Sequence, residues 1–211
     1  MPKFPEPPSV EELRAIAPVL AELPAGSLLF RVYRRGGDHP ADWNTFRAFG
    51  PLGGRFDHHL PDATGAPRAQ ERSVIYCGQD GPTCLAEVFQ DTKVIDREDG
   101  WPWLVAFGIT RPVELLDLTS LWPTRAGASM AISSGTRHRA RRWARRIYEA
   151  YPRVEGLYYP SSMYGNQPMT ALWERGEDAL PAAPSVHRAL ADPYLTTLLE
   201  NTAADLKYLL V

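Results

Sequence analysis

Five side chains spread along the chain carry the chemistry this sequence can offer. They are Arg31 in LFRVY, Arg55 in GGRFD, Tyr76 in VIYCG, Glu87 in CLAEVF and Ser161 in YYPSS. An arginine fork is planar, permanently charged and able to grip phosphate bidentately. A tyrosine offers a stacking face for a flat ring. One glutamate can hold ribose hydroxyls and stabilise positive charge developing at a sugar C1. Each lies at a strand end or helix start, so the set could line a dinucleotide pocket, with the Ser161 hydroxyl completing it. Singly, each has a plainer reading: surface ion pairs for the arginines, core packing for Tyr76, a solvated helix face for Glu87.

Other constellations are weaker. Gly53-Gly54 runs into Arg55 rather than a helix, and neither a triphosphate-binding glycine loop nor a GxGxxG follows a strand. Cys77 and Cys84 are seven apart without a histidine at ligand spacing, so both are expected to pack as small apolar groups. In Asp57-His58-His59 the adjacent histidines point to opposite sides of an extended chain, a poor chelate. The segment reads as a solvated loop, and no metal is expected. His39, His138 and His187 are isolated. Arginines 137, 139, 141, 142, 145 and 146 crowd one stretch, read as a solvated or partner-facing helix surface rather than a nucleic-acid reader.

The elements that must position these residues follow from periodicity. Prolines at 2, 5, 7 and 8 suggest a loose arm. Ser9 with Glu12 three residues on has capping-box spacing, and Leu13, Ile16 and Leu20 extend a helix ended by Pro24-Ala25-Gly26. Strands are expected over Ser27–Tyr33, Ser73–Gly78, Trp103–Thr110 and Pro112–Leu118, and in VEGLYYPSS, ending at Pro160. TALWER is a further short strand or turn. Residues 34–72 read as a long polar connection with short ordered islands. Thr83 is the expected N-cap of a helix carrying Leu85, Val88 and Phe89 on one face. Gly135–Tyr151 is the clearest helix, with Ala140, Trp143, Ala144, Ile147 and Tyr148 on one stripe. The tail from Val186 reads as helical, interrupted by Pro193. Strands and helices mix without regular βαβ alternation, which favours an α+β domain over a doubly wound sheet.

Composition narrows the function classes. The chain has 211 residues, 44% hydrophobic and 23% charged, with a net charge of -2, ordinary for a globular domain. There is no global basic excess for binding nucleic-acid backbones. No apolar run approaches a membrane span, and the N-terminus lacks the apolar stretch of a signal peptide. Two cysteines make no disulfide framework, so the cytoplasm is the expected address. Oligomeric state is open, a homo-oligomer included.

In order along the chain, LFRVY, GGRFD, VIYCGQDGPTCLAEVF, GLYYPSS and TALWER resemble the RES-domain family. The resemblance spans roughly Leu28 to Glu174, and its most specific part is Tyr76 followed eleven residues later by Glu87 in an Ala-Glu pair. It implies an ADP-ribosyltransferase-like split antiparallel β core with flanking helices. It also implies a toxin of a bacterial toxin–antitoxin pair that consumes NAD by hydrolysis or phosphorolysis, or transfers its ADP-ribose to a protein. The implied partner is an Xre-like helix-turn-helix antitoxin that covers the active site, with inorganic phosphate as a further acceptor. Position by position, Arg31 and Arg55 match the family arginines, Tyr76 the tyrosine, Glu87 the glutamate and Ser161 or its neighbour Ser162 the serine. Glu87, Arg31 and Ser161 are then the catalytic candidates. Arg31, Arg55, Tyr76 and Ser161 would bind NAD, and Asn166 is a further pocket candidate. The expected layout is an N-terminal arm and helix over 1–26, an NAD-binding domain over 27–180, and a helical tail over 181–211 packed on that domain. Residues 58–72 read as an insertion beside the pocket.

Overall fold

The computed structural model describes residues 4–211. The chain opens with α1 (Val10–Arg14), whose capping box is formed as expected: Ser9 Oγ accepts from Glu12 N and the Glu12 carboxylate accepts from Ser9 N. The expected continuation to residue 24 does not form. Pro18 disfavours helical backbone before it, and β1 (Leu20–Leu23) is instead an edge strand. β2 (Leu28–Arg34) and β3 (Arg47–Gly50) follow, then the long β4 (Arg68–Gly78) and α2 (Gly81–Val88). The N-cap of α2 is Asp80, not Thr83: its carboxylate accepts from Thr83 N at 2.6 Å. Next come β5 (Val94–Ile95), β6 (Pro102–Gly108), β7 (Val113–Asp117), α3 (Trp122–Arg125), α4 (Ala131–Ser134) and α5 (Arg137–Ala150). β8 (Gly156–Pro160) and β9 (Pro168–Trp173) complete the centre of the sheet. The tail is not helical from Val186. β10 (Val186–Ala189) adds to the sheet edge, and only then come α6 (Thr196–Leu206) and β11 (Leu209–Leu210).

The main sheet runs β1-β7-β8-β9-β4-β2-β6-β10, with β3 also on β4. All pairs are antiparallel except β7 with β8, which makes the sheet mixed. The expected α+β core with a split sheet and flanking helices is present, and the split has a definite place. β2 meets β4 at one residue pair, Phe30 opposite Gly78, whereas β2 pairs with β6 over its full length. From that pair the strands part, with Arg31 onward in β2 unpaired to Cys77 and the earlier residues of β4.

Three apolar clusters hold the layers. α5 lays Trp143, Ala144 and Ile147 against Trp122, Leu157 and Trp173. Leu29, Ile75, Phe107 and Leu172 fill a second cluster. α2 and α6 share a third, with Leu85 and Leu199 around Leu104. Each large apolar side chain so buried contributes roughly 1.5–3 kcal/mol. Cys77 and Cys84 are free and buried, as expected of small apolar fillers. Among the described residues, no helix is long and apolar enough to cross a membrane.

Two expectations about polar segments need correction. The part of the N-terminal arm that the structure describes is not loose: Phe4 is buried and Pro5 O accepts from Trp143 Nε1 at 2.9 Å. Pro2 lies outside the described residues. Nor is Asp57-His58-His59 a solvated loop, because all three side chains are fully buried.

Candidate active site

A cavity of about 520 Å³ opens where the sheet splits, within the usual size of small-molecule sites. β2 contributes Arg31, β3 Arg47 and β4 Tyr76, while α2 supplies Glu87. Arg55 enters on the loop between β3 and β4, and Arg137 at the first turn of α5. Of the sequence-predicted residues, Arg31, Arg55, Tyr76 and Glu87 all line this one cavity. Ser161 stands just behind it, and Ser162 lines it. Asn166 does not reach it and occupies an exposed left-handed position in the turn after Ser161.

The glutamate is held from one side. Ser161 Oγ donates to Glu87 Oε1 at 2.6 Å, and Ser162 N donates to the same oxygen at 3.2 Å. Ser161 Oγ in turn accepts from Met163 N and Tyr164 N at 3.0 and 3.1 Å. With two N–H groups feeding it, the hydroxyl has its proton committed to the carboxylate. Ser161 is buried, so it acts on the cavity through Glu87. Among the described residues, the second carboxylate oxygen has only Gln90 Nε2 at 3.5 Å, the outer limit of a hydrogen bond. The half-buried Glu87 thus keeps one oxygen for a ligand.

The arginines are held by different means. Arg31 Nη1 donates to the carbonyls of Asp42, Trp43 and Thr45 at 3.2, 2.7 and 3.2 Å, tying down the loop after β2. Burial pushes its pKa down, as it does for Arg55, where the nearby Arg137 adds to the effect. Both stay charged, because an arginine starts so high. Arg55 Nη1 donates to Gly135 O between α4 and α5.

The Gly53-Gly54-Arg55 loop is set by a residue that sequence reasoning placed in solvent. The fully buried Asp57 carboxylate pairs with Arg47 and accepts from Leu52 N at 2.7 Å and from the Tyr76 hydroxyl at 3.0 Å. The Tyr76 oxygen accepts from Phe56 N at 3.1 Å. Burial, then the Asp57 charge, push the Tyr76 phenol well above its ordinary pKa, so it remains a donor. Gly54 is required here. A Cβ would stand 2.7 Å from the Tyr76 oxygen and closer still to the Asp57 carboxylate.

The arginines of α5 face inward more than the sequence suggested. Arg145 Nε donates to His59 O at 2.7 Å, and Arg141 bonds Leu52 O, so α5 clamps the 52–59 loop. Arg139 and Arg142 pair with Glu6 and fix the N-terminal arm. Among the described residues, no group of three or more His, Cys, Asp or Glu side chains is placed to hold a metal ion.

Comparison with known proteins agrees with this architecture. The RES domain family model matches residues 28–193. The structure is similar to a chain in the crystal structure of the M. tuberculosis MbcT–MbcA toxin–antitoxin complex, with TM-score 0.54 and 14% sequence identity. That match covers 86% of this chain and 92% of the other. No curated protein matches by sequence. With four of the five motif residues lining one cavity, the fifth bonded to the fourth, and the family model spanning 28–193, the chain belongs to the RES domain family.

Proposed function

We propose that this protein is the toxin of a toxin–antitoxin pair and that it consumes NAD by breaking the bond between nicotinamide and ribose. The observation that carries the reading is Glu87. It is a half-buried carboxylate on the wall of a dinucleotide-sized cavity, with one oxygen fixed by Ser161 and the other left for substrate. Nicotinamide departs as a neutral molecule, so the bond breaks without a strong general acid. The difficulty is the oxocarbenium-like charge left on the ribose, and a carboxylate held beside C1 stabilises that charge while binding the ribose hydroxyls. Arg31 and Arg55 fix the diphosphate and so the orientation of the reacting carbon. The Tyr76 ring, its hydroxyl anchored on Asp57, gives the nicotinamide a stacking surface. The oxocarbenium carbon is then taken by water or phosphate, giving ADP-ribose or its 1-phosphate, with a proton released to solvent. A protein nucleophile on the same scaffold would give an ADP-ribosylated target.

The partner in this reading is a helix-turn-helix antitoxin that closes the cavity mouth. The similarity to a chain of a toxin–antitoxin complex supports it. Two variants test the enzyme. Glu87→Gln should bind NAD and lose turnover by ~10³-fold or more while its melting temperature is unchanged. Arg55→Ala should chiefly raise KM. Turnover near normal in Glu87→Gln, or an unchanged KM in Arg55→Ala, removes that residue from the mechanism.

A further inference from the structure

We propose that Arg137, together with Arg55 and Ser133, forms an oxyanion subsite at the α4–α5 junction that takes a phosphate group. This inference deepens the NAD reading and rests on it for the cavity's purpose. Four guanidinium groups line the cavity, but they are not equivalent. Arg31 donates through Nη1 to three backbone carbonyls, and Arg47 pairs with the buried Asp57. Arg55 and Arg137 each bond a single neutral oxygen, Gly135 O and Gln90 Oε1, the latter at 2.8 Å. The ion pair of Arg137 with the exposed Asp91 is stretched to 4.0 Å, where it contributes little.

Two like charges held near each other in a partly desolvated wall cost free energy unless an anion joins them. A phosphate group offers each fork a bidentate partner. Two further features converge on the same place. Ser133 lines the cavity, is 4% exposed, and its hydroxyl has no hydrogen-bond partner among the described residues. A buried hydroxyl left without one is uncommon. The 14-residue α5 begins there with no side-chain cap and no acid in its first turn, so its unsatisfied N–H groups add positive potential. Gly135, between the two helices, ties Arg55 to this junction through its carbonyl. Sequence periodicity assigned Arg137 to an outer arginine face. Its place at the helix start turns it inward.

The phosphate could be part of the dinucleotide's diphosphate or a free ion, and the test separates them. ADP-ribose, adenosine and inorganic phosphate are titrated calorimetrically into the full-length wild type and Arg137→Gln, with melting temperature as the check on folding. Loss of charge-assisted bonds predicts that Arg137→Gln weakens the phosphate-bearing probes by about tenfold or more and leaves adenosine unchanged. Ser133→Ala is expected to cost a few-fold on the same scale. Inorganic phosphate that competes with ADP-ribose assigns the subsite to the diphosphate. Phosphate that binds alongside ADP-ribose, and is lost in Arg137→Gln, assigns it to a free ion. Should Arg137→Gln not fold, Arg137→Lys keeps the charge without the fork and is expected to fall between the extremes. Equal affinity of the folded variant and wild type for both phosphate probes overturns the subsite. If ADP-ribose fails to bind the wild type, the dinucleotide reading falls, and the inorganic phosphate titration alone still decides the subsite.

Discussion

Replacing Asp57 by asparagine probes the network beneath the site. The carboxylate is fully buried and serves Arg47, Leu52 N and the Tyr76 hydroxyl at once. Asparagine keeps the shape but removes the charge, and it turns one acceptor oxygen into an NH2 that must face one of these donors. Breaking a buried ion pair while leaving its partner costs ~3–5 kcal/mol. Because the Arg47 side chain is 29% exposed and water can reach it, the lower end, about 3 kcal/mol, is expected. With a urea slope of about 2–3 kcal/mol/M, the unfolding midpoint falls by about 1–1.5 M. Adding Arg47→Met to Asp57→Asn removes the uncompensated charge and should recover part of the loss, a coupling of about 1–2 kcal/mol. Because Asp57 also fixes Tyr76 and the loop carrying Arg55, ADP-ribose binding should weaken in the folded single variant. A loss below about 0.5 kcal/mol with unchanged binding would refute the claim that this carboxylate organises the site.

Other perturbations separate roles. Ser161→Ala removes the 2.6 Å bond that orients Glu87, so kcat should fall by about 10–100-fold with KM little changed. A rise in KM alone would place Ser161 on the substrate instead. Gly54→Ala should destabilise by about 1–3 kcal/mol and weaken nucleotide binding, because its methyl meets Asp57 and Tyr76. Wild-type stability here would contradict the tight approach. Burial holds the His59 pKa down at about 4 and lowers that of His58 as well. Between pH 6.5 and about 4 the unfolded chain therefore binds protons that the folded chain refuses. Urea stability should fall as pH drops through that window, by up to ~1.4 kcal/mol per pH unit for each histidine. The burial of Glu174 raises its pKa, yet the His58 ring 3.5 Å away and hydrogen bonds from Ser73 N and the Tyr148 hydroxyl leave it at about 2, so its contribution is lost only at lower pH. A flat response from pH 6.5 to 4 would refute the assignment.

Much of the fold is written in local patterns. The Ser9–Glu12 box starts α1, and the Trp143–Ile147 stripe marks α5. Edge strands escape such reading. β1 and β10 have one neighbour each and need little alternation. LAEL over 20–23 and VHRA over 186–189 are four residues each, too short for periodicity to distinguish strand from helix. The motif residues were legible as a set because cavity lining needs particular chemistry at particular places. Asp57 was not, since the partners that make its burial tolerable, Arg47 and Tyr76, come from other strands. The same holds for His58 and His59, packed under α5, and for Arg137. Its neighbours on the helix read as one arginine face, yet they bond Glu6 and the 52–59 loop while Arg137 bonds Gln90 at the cavity.

The most direct test of the account is the fate of NAD incubated with wild-type protein and with Glu87→Gln, with and without inorganic phosphate, products being resolved by mass. Wild-type protein is expected to release nicotinamide, together with ADP-ribose or its 1-phosphate, and Glu87→Gln neither product. NAD left intact by the wild type in both conditions, and also with a bacterial lysate supplying protein acceptors, would contradict it.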